Sequence, residues 1–206
     1  RKVVTFVFAT GFTEIILVGG ALLFGFPLPV LASQILWTNI VGEGLLNFSF
    51  AFEPKEKDVM KPRVNRNHHV FTREMWFLIF LIGIATDLVL FGVFLYMQRA
   101  GFHIAEIRSL VFAGLALDSL FFAYSLRSLR RPLWRILPFT NPFFLFSLAL
   151  SICLLFSAFF FESLQSMLSV VPLTGAQFFI IIVLGALDLV LIEAGKWWFI
   201  RRGMAE

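Results

Sequence analysis

The chain has 206 residues, of which 59% are hydrophobic and 17% aromatic, and its mean hydropathy is +0.89. A soluble domain is about 45–50% apolar, so this composition excludes an ordinary soluble domain and predicts a polytopic membrane protein. Only 15% of the residues are charged, and these are clustered, so the net charge of +4 indicates membrane topology and not nucleic-acid binding. A single cysteine, Cys153, excludes an internal disulfide.

Six apolar segments are long enough to cross a bilayer, which takes about 20 helical residues. We therefore predict an all-α fold, a polytopic membrane helix bundle that forms one transmembrane domain over residues 1–206. Its six transmembrane helices are expected near residues 3–26, 29–52, 75–97, 107–126, 142–161 and 176–200. The run Thr140-Asn141-Pro142 predicts the start of the fifth helix, because asparagine caps helices and proline suits their first turn.

The distribution of basic residues predicts the orientation of these helices. Loops 53–74 and 127–138, together with both ends of the chain, carry all of the 17 lysines and arginines except Arg99 and Arg108. Since cytoplasmic loops are enriched in lysine and arginine, we expect both loops and both termini to be cytoplasmic.

Polar residues in the first two predicted helices point to an ion site. A carboxylate at bilayer depth costs about 2.5–3.5 kcal/mol on insertion scales, so Glu14 and Glu43 are functional candidates by default. Asn39 precedes Glu43 by four residues and shares its helix face, while Gly42 and Gly44 weaken the helix beside it. Such all-oxygen ligands suit a hard cation such as calcium. The alternative is that each acid is neutral and hydrogen-bonded within the bundle.

Other polar residues in the apolar segments are weaker candidates. Asp118 is expected either in an ion pathway or in structural hydrogen bonds, and Asp87 in a structural or pathway role. On the last helix, Glu193 precedes Lys196 by three residues, which predicts an ion pair near the membrane boundary.

Motifs for other chemistries are missing from the sequence. His68 and His69 have no Cys, Asp or Glu at close ligand spacing, so we expect them in a solvated loop. There is no G-x-x-x-x-G-K-[ST] run for nucleotide binding, and no Ser/His/Asp or Cys/His arrangement. The chain alone therefore contains no visible energy source.

The second predicted helix and the loop after it resemble a known family. They read P-L-P-V-L-A-S-Q-I-L-W-T-N-I-V-G-E-G and then E-P-K-E-K-D-V-M-K-P-R. They are similar to the sixth transmembrane helix and following loop of P-type cation-transporting ATPases, and closest to the calcium pumps. Residues 3–26 look like the fifth helix, residues 130–134 like the loop after the eighth, and the last segment like the tenth helix.

This resemblance implies roles for individual residues. Glu14 matches the ligand glutamate of the fifth helix, and Asn39 and Glu43 match the ligand asparagine and aspartate of the sixth. We add Asp118 to these metal-ligand candidates, one turn after Gly114, which stands where reticulum-type pumps have an eighth-helix glutamate.

Other positions depart from the family pattern. Gly11 stands in place of a ligand asparagine, Gly42 in place of a ligand threonine, and Leu46 in place of a hinge proline. With fewer side-chain ligands, the pattern favours one ion site, or a different cation, including the proton.

The resemblance implies that the chain is the C-terminal six-helix part of an ATP-driven pump, an integral multi-pass membrane protein that works by alternating access. The expected cofactor is the transported cation, with calcium favoured, while ATP and magnesium would act only through domains outside this chain. The expected partners are the remaining N-terminal part of the same pump and the lipid bilayer. A start at Arg1 and not at methionine also favours a fragment.

Two alternatives remain at this stage. One is a P-type pump for protons or another monovalent cation. The other is a self-contained six-helix channel, carrier or scaffold, which explains the topology but not the resemblance around Asn39 and Glu43.

Overall fold

The computed structural model describes residues 2–53, 73–128, 133 and 140–201, and within these ranges the chain is helical and has no strand. The elements are α1 (Lys2–Leu23), α2 (Ala32–Trp37), a π-helical turn that we call the π segment (Thr38–Gly44), α3 (Leu45–Phe50), α4 (Arg73–Arg99), α5 (Ile104–Leu126), α6 (Pro142–Phe160), α7 (Glu162–Leu168) and α8 (Gly175–Arg201). The predicted all-α class is confirmed for the residues described.

Four helical stretches are long and apolar enough to cross a membrane. They are Lys2–Leu23, Ile104–Leu126, Pro142–Phe160 and Gly175–Trp198. The helix α4 covers the predicted third span, and α2, the π segment and α3 together cover the predicted second span. The count of six crossings and the cytoplasmic position of the termini remain predictions.

Two details differ from the predicted helices. The second span does not start at residue 29 but at Ala32, and the π segment interrupts it, because the glycine-flanked stretch around Glu43 does not keep regular α-helical hydrogen bonding. The second difference is α7, a short helix that the hydropathy pattern did not predict. It ends at Leu168, and the next residue, Ser169, caps it with a φ of 51°, in the left-handed region that stops a helix.

Most of the two basic loops lies outside the described residues. This includes 54–72, 129–132 and 134–139, and therefore the predicted solvated pair His68 and His69.

Local signals in the sequence set several helix ends. Asn141 caps α6 by accepting a hydrogen bond from the backbone N–H of Phe144 at 2.9 Å, and Pro142 follows in the first turn, which confirms the predicted start. After α1 and α4 the chain turns at Gly25 (φ 69°) and Gly101 (φ 80°). Glycine adopts this conformation without the steric cost that a Cβ would impose.

The helix α5 is the centre of the bundle. Its apolar stretch is 83% buried, whereas the other three candidate spans are 33% buried or less. It packs chiefly against α8, while α1 packs chiefly against α4. Phe6 of α1 is fully buried between α5 and α3, with its ring 5.7 Å from that of Phe122 and 5.9 Å from that of Phe50.

Large apolar side chains cover the outside of the bundle. Examples are Phe8 on α1, Phe146 on α6 and Phe179 on α8, all of them exposed. A soluble monomer rarely exposes such extended apolar surface, so these faces are suited to lipid.

A buried polar network joins the ends of four helices. The guanidinium of Arg127, just after α5, forms an ion pair with Glu53 at 3.2 Å and donates to the hydroxyl of Thr140 at 2.7 Å. Asn141 donates to the other oxygen of Glu53 at 2.7 Å, and Lys2 donates to the carbonyl of Arg127. The starts of α1 and α6 and the ends of α3 and α5 are thus tied together.

A second buried ion pair links α5 to α8. Lys196 lies 2.6 Å from Glu193, which confirms the predicted pairing, and it also donates to the carbonyl of Ser125. The hydroxyl of Ser125 donates to Glu193 at 2.5 Å. Because both charged side chains are buried, this pair acts between helices and not on an open boundary surface.

The Arg127 network makes a stability prediction. Glu53→Ala removes the carboxylate from a buried guanidinium, which costs about 3 kcal/mol in typical buried pairs. We expect a clear fall in the thermal unfolding midpoint of the full-length protein in lipid nanodiscs. Glu53→Gln retains a hydrogen-bond acceptor and should lower it less.

The matched control is Glu162→Ala, which removes an exposed carboxylate on α7. An unfolding midpoint for Glu53→Ala equal to that of this control would contradict the role given to the network.

Candidate cation site

Glu43 lies in the π segment, between α1 and α5. A π turn spaces its backbone hydrogen bonds five residues apart, and such turns occur often at functional sites. The helices α5 and α6 both pack against this segment. Ser151 of α6 donates a hydrogen bond to the carbonyl of Val41 at 2.9 Å, which fixes the irregular backbone from a neighbouring helix.

Two hydroxyl groups hold the carboxylate of Glu43. One oxygen accepts a hydrogen bond from Thr10 of α1 at 2.9 Å, and the other lies 3.5 Å from the hydroxyl of Ser119 of α5. The Thr10 hydroxyl is also 3.0 Å from the carbonyl of Phe6. Since a hydroxyl has only one proton, Thr10 can donate to Glu43 or to Phe6, but not fully to both.

Glu14 and Asn39 complete the cluster. Glu14 lies one turn after Thr10 on the same face of α1, and the Asn39 side chain is in hydrogen-bonding range of its carboxyl group. Glu14 also interacts electrostatically with Glu43. All three predicted residues, Glu14, Asn39 and Glu43, are half-buried and belong to one group of oxygen-bearing side chains.

Two glycines at positions where the resemblance implies a side-chain ligand leave space beside this group. A Cβ on Gly11 would meet no described atom within 4 Å, and one on Gly42 would meet only the methyl group of Thr38 at 3.9 Å. An alanine at either position would therefore not clash with any neighbouring atom that the structure describes.

Asp118 lies elsewhere. It lines a different cavity, with Asp87 of α4 and Asp188 of α8, while its neighbour Ser119 faces Glu43. Across the described part of the chain, no three Asp, Glu, His or Cys side chains are arranged as ready ligands of one metal ion. A cation beside Glu14 and Glu43 would therefore need the Asn39 amide, hydroxyl or backbone oxygens as further ligands.

Sequence reasoning missed the two hydroxyl partners of Glu43. Thr10 could have been identified from the sequence, because it precedes Glu14 by four residues and therefore lies on the same helix face. Ser119 could not have been identified in this way, since its approach to Glu43 depends on how α5 packs against the π segment.

Comparison with known proteins places the chain in a family. The family model described as "Cation transporting ATPase, C-terminus" matches residues 27–198. A calcium-transporting ATPase of Bacillus subtilis is 29% identical over 197 residues, or 93% of this chain and 22% of that protein. Calcium-transporting ATPase 1 of Yarrowia lipolytica is 27% identical over 98% of this chain and 22% of its own length.

A third relative is the probable cation-transporting ATPase F of Mycobacterium tuberculosis, 30% identical over 68% of this chain and 16% of that protein. The chain thus spans about a fifth of the length of the curated relatives that it matches. The family match and the apolar helices identify an integral, multi-pass membrane protein. The chain belongs to the P-type cation-transporting ATPases, as a C-terminal membrane region of the calcium-pump branch.

Proposed function

We propose that this chain is the membrane part of an ATP-driven pump and carries the site for the transported cation, with calcium favoured. The observation that supports this most strongly is Glu43, a membrane-embedded carboxylate in a π turn, next to Glu14 and Asn39. Intramembrane acids are rare and usually mark ion pathways. Calcium-transporting ATPases among the relatives favour calcium as the ion.

The proposed topology has six crossings, with both termini and both basic loops in the cytoplasm. The four long apolar helices account for four crossings, α4 for a fifth, and α2 to α3 for the sixth. The positions of lysine and arginine support this orientation. The rest of the pump would supply ATP and magnesium chemistry, and it is the main proposed partner of this chain.

Transport would follow from a change in the distance between α1 and the π segment. Thr10 and Glu14 lie on α1, whereas Asn39 and Glu43 lie on the π segment, so relative movement of the two elements separates the cation ligands. Phosphorylation in the remainder of the pump would drive this movement, as alternating access requires.

Thr10 would adapt to both states of Glu43. When Glu43 is ionised, the Thr10 hydroxyl donates to it; when Glu43 carries a proton, it donates to Thr10, which then donates to the carbonyl of Phe6. Both arrangements satisfy the buried groups. This supports counter-transport of protons, in which protonated acids return after the cation has left.

A proton or monovalent-cation pump is the second candidate. The feature that favours it is the small number of side-chain ligands, since calcium usually takes six to eight oxygens and Gly11 and Gly42 supply none.

The substitution Glu43→Gln in the full-length protein tests the proposed cation site. Loss of the negative charge should lower the apparent calcium affinity, measured from calcium-stimulated phosphoenzyme formation from ATP, by about 100-fold or more. Mutation of residues that only support a metal ligand typically lowers metal affinity by about 10- to 100-fold, and we expect loss of a direct ligand to lower it at least as much. Glu162→Gln, which changes an exposed carboxylate on α7, is the control. Wild-type calcium stimulation in Glu43→Gln would refute the site.

Two substitutions at Thr10 distinguish the effect of its hydroxyl group from the effect of its side-chain volume. Thr10→Val keeps the shape but removes the donor to Glu43, so apparent calcium affinity should fall by about 10-fold. Thr10→Ser keeps the donor and should stay near wild type. Equal affinities for the two variants, measured by calcium titration of phosphoenzyme formation, would show that the hydroxyl does not position Glu43.

A further inference from the structure

The start of the second span holds a fully buried amide side chain that the cation site does not use. Gln34 lies in the first turn of α2 and is 0% exposed. Glutamine is mostly found at protein surfaces, and a buried amide needs hydrogen-bond partners for its oxygen and its nitrogen. The partners of Gln34 therefore show which parts of the bundle it holds together.

The Gln34 side chain joins the start of α2 to the end of α7. Its oxygen accepts a hydrogen bond from the backbone N–H of Leu31 at 2.9 Å, a group that the helix start leaves unpaired. Its nitrogen donates to the carbonyl of Leu168, 134 residues further along the chain, at 3.0 Å. Leu168 is the last residue of α7, where carbonyls likewise lack partners within their own helix. One side chain thus satisfies a backbone group at each of two helix ends.

The backbone carbonyl of Gln34 connects this contact to the cation site. It accepts a hydrogen bond from the hydroxyl of Thr38 at 3.1 Å. Thr38 is the buried first residue of the π segment, and the ligand candidate Asn39 follows it directly. On the other side of Asn39, the carbonyl of Val41 accepts a hydrogen bond from Ser151 of α6 at 2.9 Å. The backbone that carries Asn39 is therefore held on both sides by residues outside the cation site.

The acceptor at the end of α7 is itself firmly held. The side chain of Leu168 is buried, and the backbone N–H of Val170 donates to the carbonyl of Gln165 at 3.0 Å. The backbone N–H of Val171 donates to the hydroxyl of Ser109 of α5 at 2.8 Å, and Ser109 is fully buried. Because α7 is tied to α5 in this way, a side chain that bonds to Leu168 is bonded to a fixed point of the bundle.

We propose that Gln34 is a positioning residue of the cation site and that α7 is the anchor on which it acts. The proposal rests on the proposed function, since the site in question is that of the transported cation. Through its bond to Leu168, Gln34 fixes where the π segment begins, and thereby where Asn39 meets Glu14. It acts through Thr38 and the backbone and not as a ligand of the cation. The short helix α7, which hydropathy does not predict, gains a role in this way.

The substitution Gln34→Met in the full-length protein, in lipid nanodiscs, tests the proposal. Methionine keeps the length of the side chain and removes both hydrogen bonds. Residues that support a metal ligand are typically worth about 10- to 100-fold in metal affinity, so the calcium affinity from equilibrium binding should fall by about 10-fold. The number of calcium ions bound at saturation should stay at the wild-type value, because the ligands themselves remain.

The matched control is Gln177→Met. The side-chain oxygen of Gln177 accepts a hydrogen bond from the backbone N–H of Thr174 at 2.8 Å, which is the same local bond that Gln34 makes to Leu31. Within the described part of the chain, the Gln177 side chain bonds only to Thr174 and to no other helix. This variant should keep wild-type calcium affinity, and an equal loss of affinity in both variants would overturn the proposal.

Amide hydrogen exchange gives a second readout, which does not depend on calcium. Ser109→Ala loosens the anchor from the side of α5, and both this variant and Gln34→Met should speed exchange in residues 38–44 and 165–171. Wild-type exchange in residues 38–44, or wild-type calcium affinity in Gln34→Met, would overturn the proposal. If Gln34→Met does not fold, Ser109→Ala decides by the same two measurements. Lack of calcium binding by wild type would contradict the proposed function alone, since exchange still decides whether Gln34 holds the π segment.

Discussion

The structure depends on holding carboxylates inside an apolar helix bundle. Removing a charge from water costs several kcal/mol even after relaxation, so a buried acid persists only with hydrogen bonds, a proton or a counter-ion. At Glu43 the hydroxyls of Thr10 and Ser119 supply polar contacts from two different helices. The position of α1 relative to α5 is thereby linked to the state of one side chain.

The π segment makes this arrangement possible. Irregular backbone within a membrane is tolerated where protein covers it, and α5 and α6 cover this stretch, with Ser151 bonded to the carbonyl of Val41. Leu46, which is fully buried in α3, stands where the resemblance noted in the sequence implies a hinge proline. Here the interruption of the helix lies in the π segment just before that position. A locally irregular helix that carries the proposed ligand residues can change geometry without rearranging the surrounding bundle.

The sequence predicted those features that local chemistry determines. Hydropathy predicted the all-α class, the Asn141-Pro142 pair predicted the start of α6, and the three-residue spacing predicted the Glu193–Lys196 pair. The grouping of Glu14 with Asn39 and Glu43 was predicted as well, because a short turn joins their two helices and the spacing of Asn39 and Glu43 puts them on one face.

Features that depend on packing between distant helices were not predictable in the same way. Asp87, Asp118 and Asp188 are far apart in the sequence, and nothing in their local pattern indicates that α4, α5 and α8 bring them to one cavity. The same holds for Ser119 and Glu43. The π segment was only hinted at by Gly42 and Gly44, since glycine weakens a helix without specifying what replaces it.

The most direct measurement is equilibrium binding of radioactive calcium to the full-length protein in lipid, without ATP. The account predicts saturable binding of one calcium ion per molecule, because one cluster with Glu14, Asn39 and Glu43 supplies the ligands. Protons should compete with calcium, since the same carboxylates would take them up. Absence of saturable calcium binding, at concentrations where the protein is folded and accepts phosphate from ATP, would contradict calcium as the transported ion.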